Sequence, residues 1–223
     1  MALLWLALGW IAYAALHSLL AALACKAWVT RRWPGFAPYY RLTFNALATL
    51  LLVPLVWATY ALPGDWLWRW TGPLAWVANG LALATLAGFY FSTRNYDMGE
   101  FLGTRPWREK RTDAVEHEGF RISPLHRHVR HPWYALGLLL IWTRDMNAPL
   151  LISAGAMTLY FLVGSRLEEH KLEAHFGAAY RDYRQQVPGL IPLPWKWLSA
   201  TKAEALVERA KITAINPAGA YGD

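Results

Sequence analysis

Long apolar runs broken by short polar stretches dominate the chain. Three of them, Leu3 to Ala24, Leu42 to Leu62 and Gly72 to Phe91, hold roughly 20 residues each, enough for a helix to cross a hydrocarbon core of about 30 Å. A fourth, Trp133 to Thr143, is too short to cross alone at about 1.5 Å per residue. The polar turn Arg144-Asp145-Met146-Asn147 joins it to a fifth, Ala148 to about Val163, and the two predict a helical hairpin. The fold class expected is therefore all-α: a polytopic membrane protein of about five transmembrane helices (3–24, 42–62, 72–91, 132–143 and 148–163). The last two form a hairpin, and cytosolic helices follow at the C-terminal end.

The fifth helix is expected to outrun the membrane, because between Ala148 and His175 its single Pro, Pro149, lies in the first turn, where it is tolerated, and its only Gly are Gly155 and Gly164. It would carry Arg166, Glu168 and Glu169 into the cytosol, with Gly177 as its C-cap. Phe176, Tyr180, Tyr183 and Val187 fall on one face at helical spacing, which predicts a short amphipathic helix in a 164–192 extension, closed by Pro188, Pro192 and Pro194. Thr201 to Glu204 fits a capping box for a last, exposed helix, and Asn216 to Asp223 reads as a disordered tail. Residues 1–195 are thus expected to form the membrane domain, and 196–223 an appended helix and tail.

Composition agrees with the pattern. Of 223 residues 56% are hydrophobic and 14 are Trp, and the mean hydropathy is +0.17; an ordinary soluble domain is excluded. The formal charge of +7 does not point to nucleic acid, since the excess flanks apolar runs, where positive-inside placement and anionic lipid account for it. Lys26, Arg31, Arg32 and Arg41, the Arg-rich stretch 94–130 and the charged region after Gly164 fall on one side of a five-span topology. Pro63 to Thr71, with Trp66, Trp68 and Trp70 at belt positions, falls on the other. This predicts a bacterial inner-membrane protein with its N-terminus outside and its C-terminus and motifs in the cytosol. Positive charges follow the first run rather than precede it, so it reads as a retained helix and not as a signal peptide. The single Cys25 excludes an internal disulfide and thiolate metal cages.

Charge at the ends of the hairpin carries the candidate chemistry. Arg130-His131-Pro132-Trp133-Tyr134 opens its first helix, within the denser run His126 to His131, and Glu168-Glu169 closes the second. Such groups are costly beside lipid unless paired or bound to a ligand. Arg and His could be interfacial anchors and the carboxylates a solvated helix end. Counting outward from the turn places the carboxylates roughly 10 Å deeper in the cytosol than Arg130, a gap that suits an extended nucleoside–amino acid cofactor better than a direct ion pair. Its hydroxyls and ammonium suit Glu, and its carboxylate suits Arg or His. His126, His128, His131, His170 and His175 also admit a metal-dependent oxidoreductase, although adjacent His-His pairs are lacking; no metal is expected. His17, Asn45 and Asn79 lie within spans, where interhelical hydrogen bonding explains them, His17 having a site-lining alternative. Asn95 to Phe101 is a candidate polar lid.

These residues resemble the small integral-membrane methyltransferases, a superfamily that includes isoprenylcysteine carboxyl methyltransferase, phospholipid N-methyltransferases and methanethiol S-methyltransferase. The resemblance runs over about residues 119–192, on Arg130-His131-Pro132-x-Tyr134 and on Glu168-Glu169-x-x-Leu172-x-x-x-Phe176-Gly177-x-x-Tyr180-x-x-Tyr183-x-x-x-Val187-Pro188. The first half, with His17-Ser18-Leu19-Leu20-Ala21, is similar to the methanethiol-type and NnrU-like branches. The resemblance implies S-adenosyl-L-methionine as cofactor, contacted by His131, Pro132, Tyr134, Glu169 and Tyr180. Arg130 and Glu168 would lie near the reacting centre, and the acceptor would be a small thiol or lipid-like molecule. Arg130 would steer an anionic acceptor, and His126 or Glu168 would act as base toward a neutral one. Many relatives carry Gly-x-Tyr where this chain has Pro124-Leu125-His126, so the acceptor does not carry over. The NnrU-like branch leaves a non-catalytic membrane protein as the alternative.

Overall fold

The computed structural model describes residues 1–112 and 119–215; the tail Asn216 to Asp223 and part of the 95–118 loop lie outside the described residues. The first apolar run is helix α1 (Ala2–Ala21), which ends where Ala22 turns extended (φ −68°, ψ 137°), and α2 (Leu23–Arg32) carries the first basic cluster. A 3-10 turn, Pro34–Tyr39, leads into α3 (Tyr40–Ala61). After strand β1 (Trp66–Trp68) come α4 (Gly72–Ser92) and two short helices, α5 (Met98–Leu102) and α6 (Thr104–Arg108). Then follow α7 (Pro132–Trp142), strand β2 (Met146–Asn147), the 39-residue α8 (Ala148–Gln186) and α9 (Ala200–Ile215). Four helical segments, Ala2–Ala21, Pro34–Ala61, Gly72–Asn95 and Ala148–Gln186, are long and apolar enough to cross a membrane, and α7 is a shorter apolar helix. The expected all-α polytopic class is observed.

The chain divides into two compact units, interleaved in sequence. The first comprises 1–80, 93–118 and 142–157. A buried polar chain joins three of its helices: Trp10 Nε1 donates to Ser153 Oγ at 2.8 Å, and Ser153 lies 2.6 Å from Thr59 Oγ1. The hairpin turn is more ordered than its polar composition suggested. Met146–Asn147 pairs antiparallel with Trp66–Trp68, Trp70 N–H donates to Asp145 Oδ1 at 2.9 Å, and Asn147 Oδ1 caps Leu150 N–H at 3.0 Å. Asn45 bonds the Phe101 and Leu102 carbonyls rather than another span, so the Met98 to Phe101 part of the candidate lid lies in a helix, α5, tied to α3. Asn79 accepts from Arg144, and the His17 ring sits between Tyr13 and Phe44.

The second unit comprises 81–92, 119–141 and 158–223. Its core is the face anticipated on the extension: Phe176, Ala179, Tyr180, Tyr183 and Val187 are buried, joined by Leu198, Leu206 and Ala210. Gly177 breaks α8 with φ +56° and ψ −129°, a region L-residues avoid. The expected cap is thus a bend within a longer helix, after which the chain turns to bury its aromatic face. Helix α9 departs from expectation twice. Its start is held by Ser199 Oγ on Lys202 N–H at 3.3 Å, not by Thr201. It is also not exposed all round, because Ala203, Leu206 and Ala210 are buried; at i, i+3, i+7 spacing they form the apolar stripe that docks it.

Candidate active site

Arg130 and His131 stand at the entrance of α7, just before Pro132, whose missing N–H suits a first helical turn. Their backbone is fixed from the far end of the unit. Arg130 N–H donates to Pro188 O at 2.8 Å and His131 N–H to Gly189 O at 3.1 Å, and Leu198 N–H donates to Arg127 O at 2.9 Å. Arg127 Nε adds a bond to Leu198 O at 2.9 Å. The segment after α8 is therefore a strap laid against the motif. The Pro188-Gly189 pair is a turn signal, but nothing local in the sequence says which segment its carbonyls meet.

The side chains then converge on one carboxylate. Glu169 Oε1 accepts from Arg130 Nε at 2.9 Å, lies 2.7 Å from Arg130 Nη2 and 2.9 Å from His131 Nε2. Arg184 Nε lies 3.4 Å from Oε2. Arg130 Nη1 donates to the carbonyls of Arg184 at 2.9 Å and of Val187. This overturns the separation of roughly 10 Å expected from the hairpin count. The count advanced every residue by a helical rise, whereas Arg130 and His131 before α7 and the turn 143–146 after it are not helical; extended residues advance about twice as far, and the long Arg130 side chain covers the rest. Arg130, 12% exposed, and Glu169, 9% exposed, are direct partners. Arg130 is thus committed to protein acceptors and is not a free group for steering an anionic acceptor.

Glu168 is different. Its side chain is 49% exposed, and its Oε2 lies 3.5 Å from His131 Nδ1. Burial works against a charged His131, but the hydrogen bonds and charges of Glu168 and Glu169 outweigh it and raise its pKa above the ordinary 6.5. Burial likewise opposes a charged Glu169, and His131 and Arg130 overcome it, holding the carboxyl below 4.5. His126 goes the other way. Burial, then the charge of His131, push it down to about 4, so it is neutral at pH 7; its Nδ1 lies 2.7 Å from Ser123 Oγ, and its carbonyl accepts from Tyr183 Oη at 2.7 Å.

Aromatic rings wall the cluster. His131 stacks on Tyr134 (centroids 5.5 Å apart, 11° between planes), as expected of residues three apart on one helix face, and Tyr134 stacks on Phe161 at 4.8 Å and 6°. Trp133 turns away and donates Nε1–H to Ser92 Oγ at 2.8 Å. Tyr180 is 1% exposed, and its hydroxyl is buried with no hydrogen-bond partner. An orphaned hydroxyl beside a carboxylate pair suits a polar ligand. Arg130, His131, Glu168, Glu169 and Tyr180 are thus gathered in one unit, with Pro132, Tyr134 and His126 around them.

The other histidines have separate partners. His128 is exposed and stacks on Trp197, His170 bonds its own turn through Arg166 O, and His175 meets Phe176 edge-on. Among the described residues no three His, Cys, Asp or Glu side chains are placed to hold a metal ion.

Arg130-His131-Pro132 thus opens α7, and Glu168-Glu169 lies beyond the apolar part of α8. Comparison with known proteins gives the family. The chain is 35% identical to methanethiol S-methyltransferase 2 of Bradyrhizobium diazoefficiens over 184 residues (81% of this chain, 69% of the relative). It is 32% identical to methanethiol S-methyltransferase of Mycobacterium tuberculosis over 193 residues (82% and 75%), and 30% to that of Crocosphaera subtropica over 191 residues (81% and 71%). The chain belongs to the methanethiol S-methyltransferase family. No family model and no solved structure matches it.

Proposed function

We propose that the protein is an S-adenosyl-L-methionine-dependent methyltransferase of the bacterial inner membrane that methylates a small thiol. Its N-terminus would lie outside and its site on the cytosolic side. The observation that carries this reading is family membership with proteins named as methanethiol S-methyltransferases. When bound, the cofactor supplies a methyl group on a cationic sulfonium.

The residues fit such a group. The second carboxylate oxygen of Glu169, 3.4 Å from Arg184 Nε, suits its ammonium or ribose hydroxyls, and the orphaned Tyr180 hydroxyl offers a further polar contact. Neutral His126 adds no positive charge to repel a sulfonium. Arg130 acts as a positioning residue, fastening Glu169 and the carbonyls that end α8. Glu168 takes the S–H proton of the acceptor thiol and, being exposed, passes it to water. The stacked rings of Tyr134 and Phe161 keep the surroundings apolar for a small thiol.

Calorimetry with S-adenosylhomocysteine and labelled-methyl transfer to methanethiol, on detergent-purified protein, test the reading. Expected are saturable binding and thiol methylation, with Glu168→Gln lowering the rate about 100-fold, the usual size of a lost general base. Absence of both binding and transfer in the folded protein would sink it. Transfer to aminophospholipids but not to thiols would keep the cofactor and discard the acceptor.

A further inference from the structure

The first unit holds a cavity of about 380 Å³, lined by Tyr60, Trp66, Trp70, Asn79, Arg144 and Asp145 among others, a volume within the range of small-molecule sites. Its distinctive group is Arg144. The guanidinium contacts only neutral acceptors, all at long distance: Asn79 Oδ1 at 3.2 Å, Ala78 O at 3.3 Å and Thr143 Oγ1 at 3.4 Å. Its Nε is buried with no hydrogen-bond partner. The neighbouring carboxylate is engaged elsewhere, since Asp145 accepts from Trp70 N–H at 2.9 Å and faces Arg69 at 3.7 Å. Arg144 forms no ion pair among the described residues.

A cation held this way in a confined space is costly without an anion, and a guanidinium fork matches the oxygens of a phosphate. The surroundings indicate the source. Tyr60 and Trp66 are 70% and 51% exposed, and Leu74 and Trp76 at the start of α4 are 60% and 82% exposed. Aromatic and apolar side chains exposed at the ends of spans mark the headgroup level of a bilayer. We propose that this cavity binds a phosphate oxyanion, supplied by the headgroup of a phospholipid whose acyl chains lie along α3 and α4. The inference is independent of the methyltransferase reading.

The test uses the whole protein in neutral detergent, titrated with short-chain phosphatidylglycerol, with phosphate-free monogalactosyldiacylglycerol, and with inorganic phosphate, while tryptophan fluorescence reports the thermal midpoint. Phosphatidylglycerol should raise the midpoint saturably, the galactolipid should not, and Arg144→Gln should weaken the apparent affinity about tenfold or more, as for a lost charge-assisted hydrogen bond. Competition by millimolar inorganic phosphate would support the oxyanion site with a free ion as its source. Asp145→Asn, which keeps an acceptor for Trp70 but removes a like charge, should tighten phosphatidylglycerol binding even if Arg144→Gln does not fold. Equal binding of the two lipids, unchanged affinity in Arg144→Gln, or unchanged or weaker affinity in Asp145→Asn would overturn the proposal.

Discussion

Glu169→Ala tests the closed ion pair directly. It removes the acceptor of Arg130 Nε and Nη2 and of His131 Nε2, at 2.9, 2.7 and 2.9 Å, while the partners stay where the strap holds them. Both carboxylate and guanidinium are about nine-tenths buried, so the loss is not the small value of a surface pair but that of a stranded buried charge, about 3–5 kcal/mol. For a chain of this size each kcal/mol shifts the midpoint by about 2–4 °C, which predicts a fall of about 6–20 °C without any ligand. Thermal unfolding of purified protein, followed by tryptophan emission, measures it. Arg130→Leu combined with Glu169→Leu removes both charges and should lie closer to the unsubstituted protein than either single change, as buried pairs replaced by apolar residues do. A single-variant fall under about 2 °C, or additive losses in the double variant, would refute the pairing and return Glu169 to the role of a ligand-only contact.

Three further outcomes are expected. The stability contributed by Glu169 is present above about pH 4.5 and lost as pH falls through its lowered pKa; that of His131 is present below pH 6.5 and lost as pH rises through its raised pKa. The melting midpoint should therefore plateau between these values, and His131→Gln should remove the alkaline decline. Tyr180→Phe removes an unsatisfied buried hydroxyl and should leave the ligand-free protein as stable or about 1 kcal/mol more so, while weakening S-adenosylhomocysteine binding in calorimetry; lost stability would show that the hydroxyl has a protein partner. Gly103→Ala should lower the midpoint, because φ is +86° and a Cβ would come within 2.7 Å of Arg41 Cβ and 2.8 Å of Leu42 N; a midpoint at or above that of the unsubstituted protein would contradict it.

Spans, hairpin and buried aromatic face were legible in the sequence because each depends on one periodicity read along one segment. Runs of about 20 apolar residues report length, and Phe176, Tyr180, Tyr183 and Val187 report a face. Distances between segments were not legible in the same way. The Arg130–Glu169 contact depends on where a non-helical stretch begins, and the bonds to Pro188 and Gly189 on a turn that brings back a segment more than 50 residues away. The cavity around Arg144 was hidden for a related reason: the turn looked like a polar linker, and only pairing with Trp66–Trp68 makes it a wall. Helix α9 looked appended because its stripe is short and built partly of Ala.

The strap has a consequence for the order in which the protein is made. Arg130 and His131 leave the ribosome well before Val187 and Pro188, and before Leu198, which locks Arg127. At about 5–20 residues per second, the roughly 70 residues in between take about 4–14 s to synthesise. Arg130 lacks Glu169 for the first 39 of those residues and its Val187 carbonyl partner for the first 57, and only the arrival of the last quarter of the chain completes the pairing. Chains ending between Val163 and Arg184 would therefore contain every apolar span and still leave Arg130 without the carbonyl partners that the finished protein gives it.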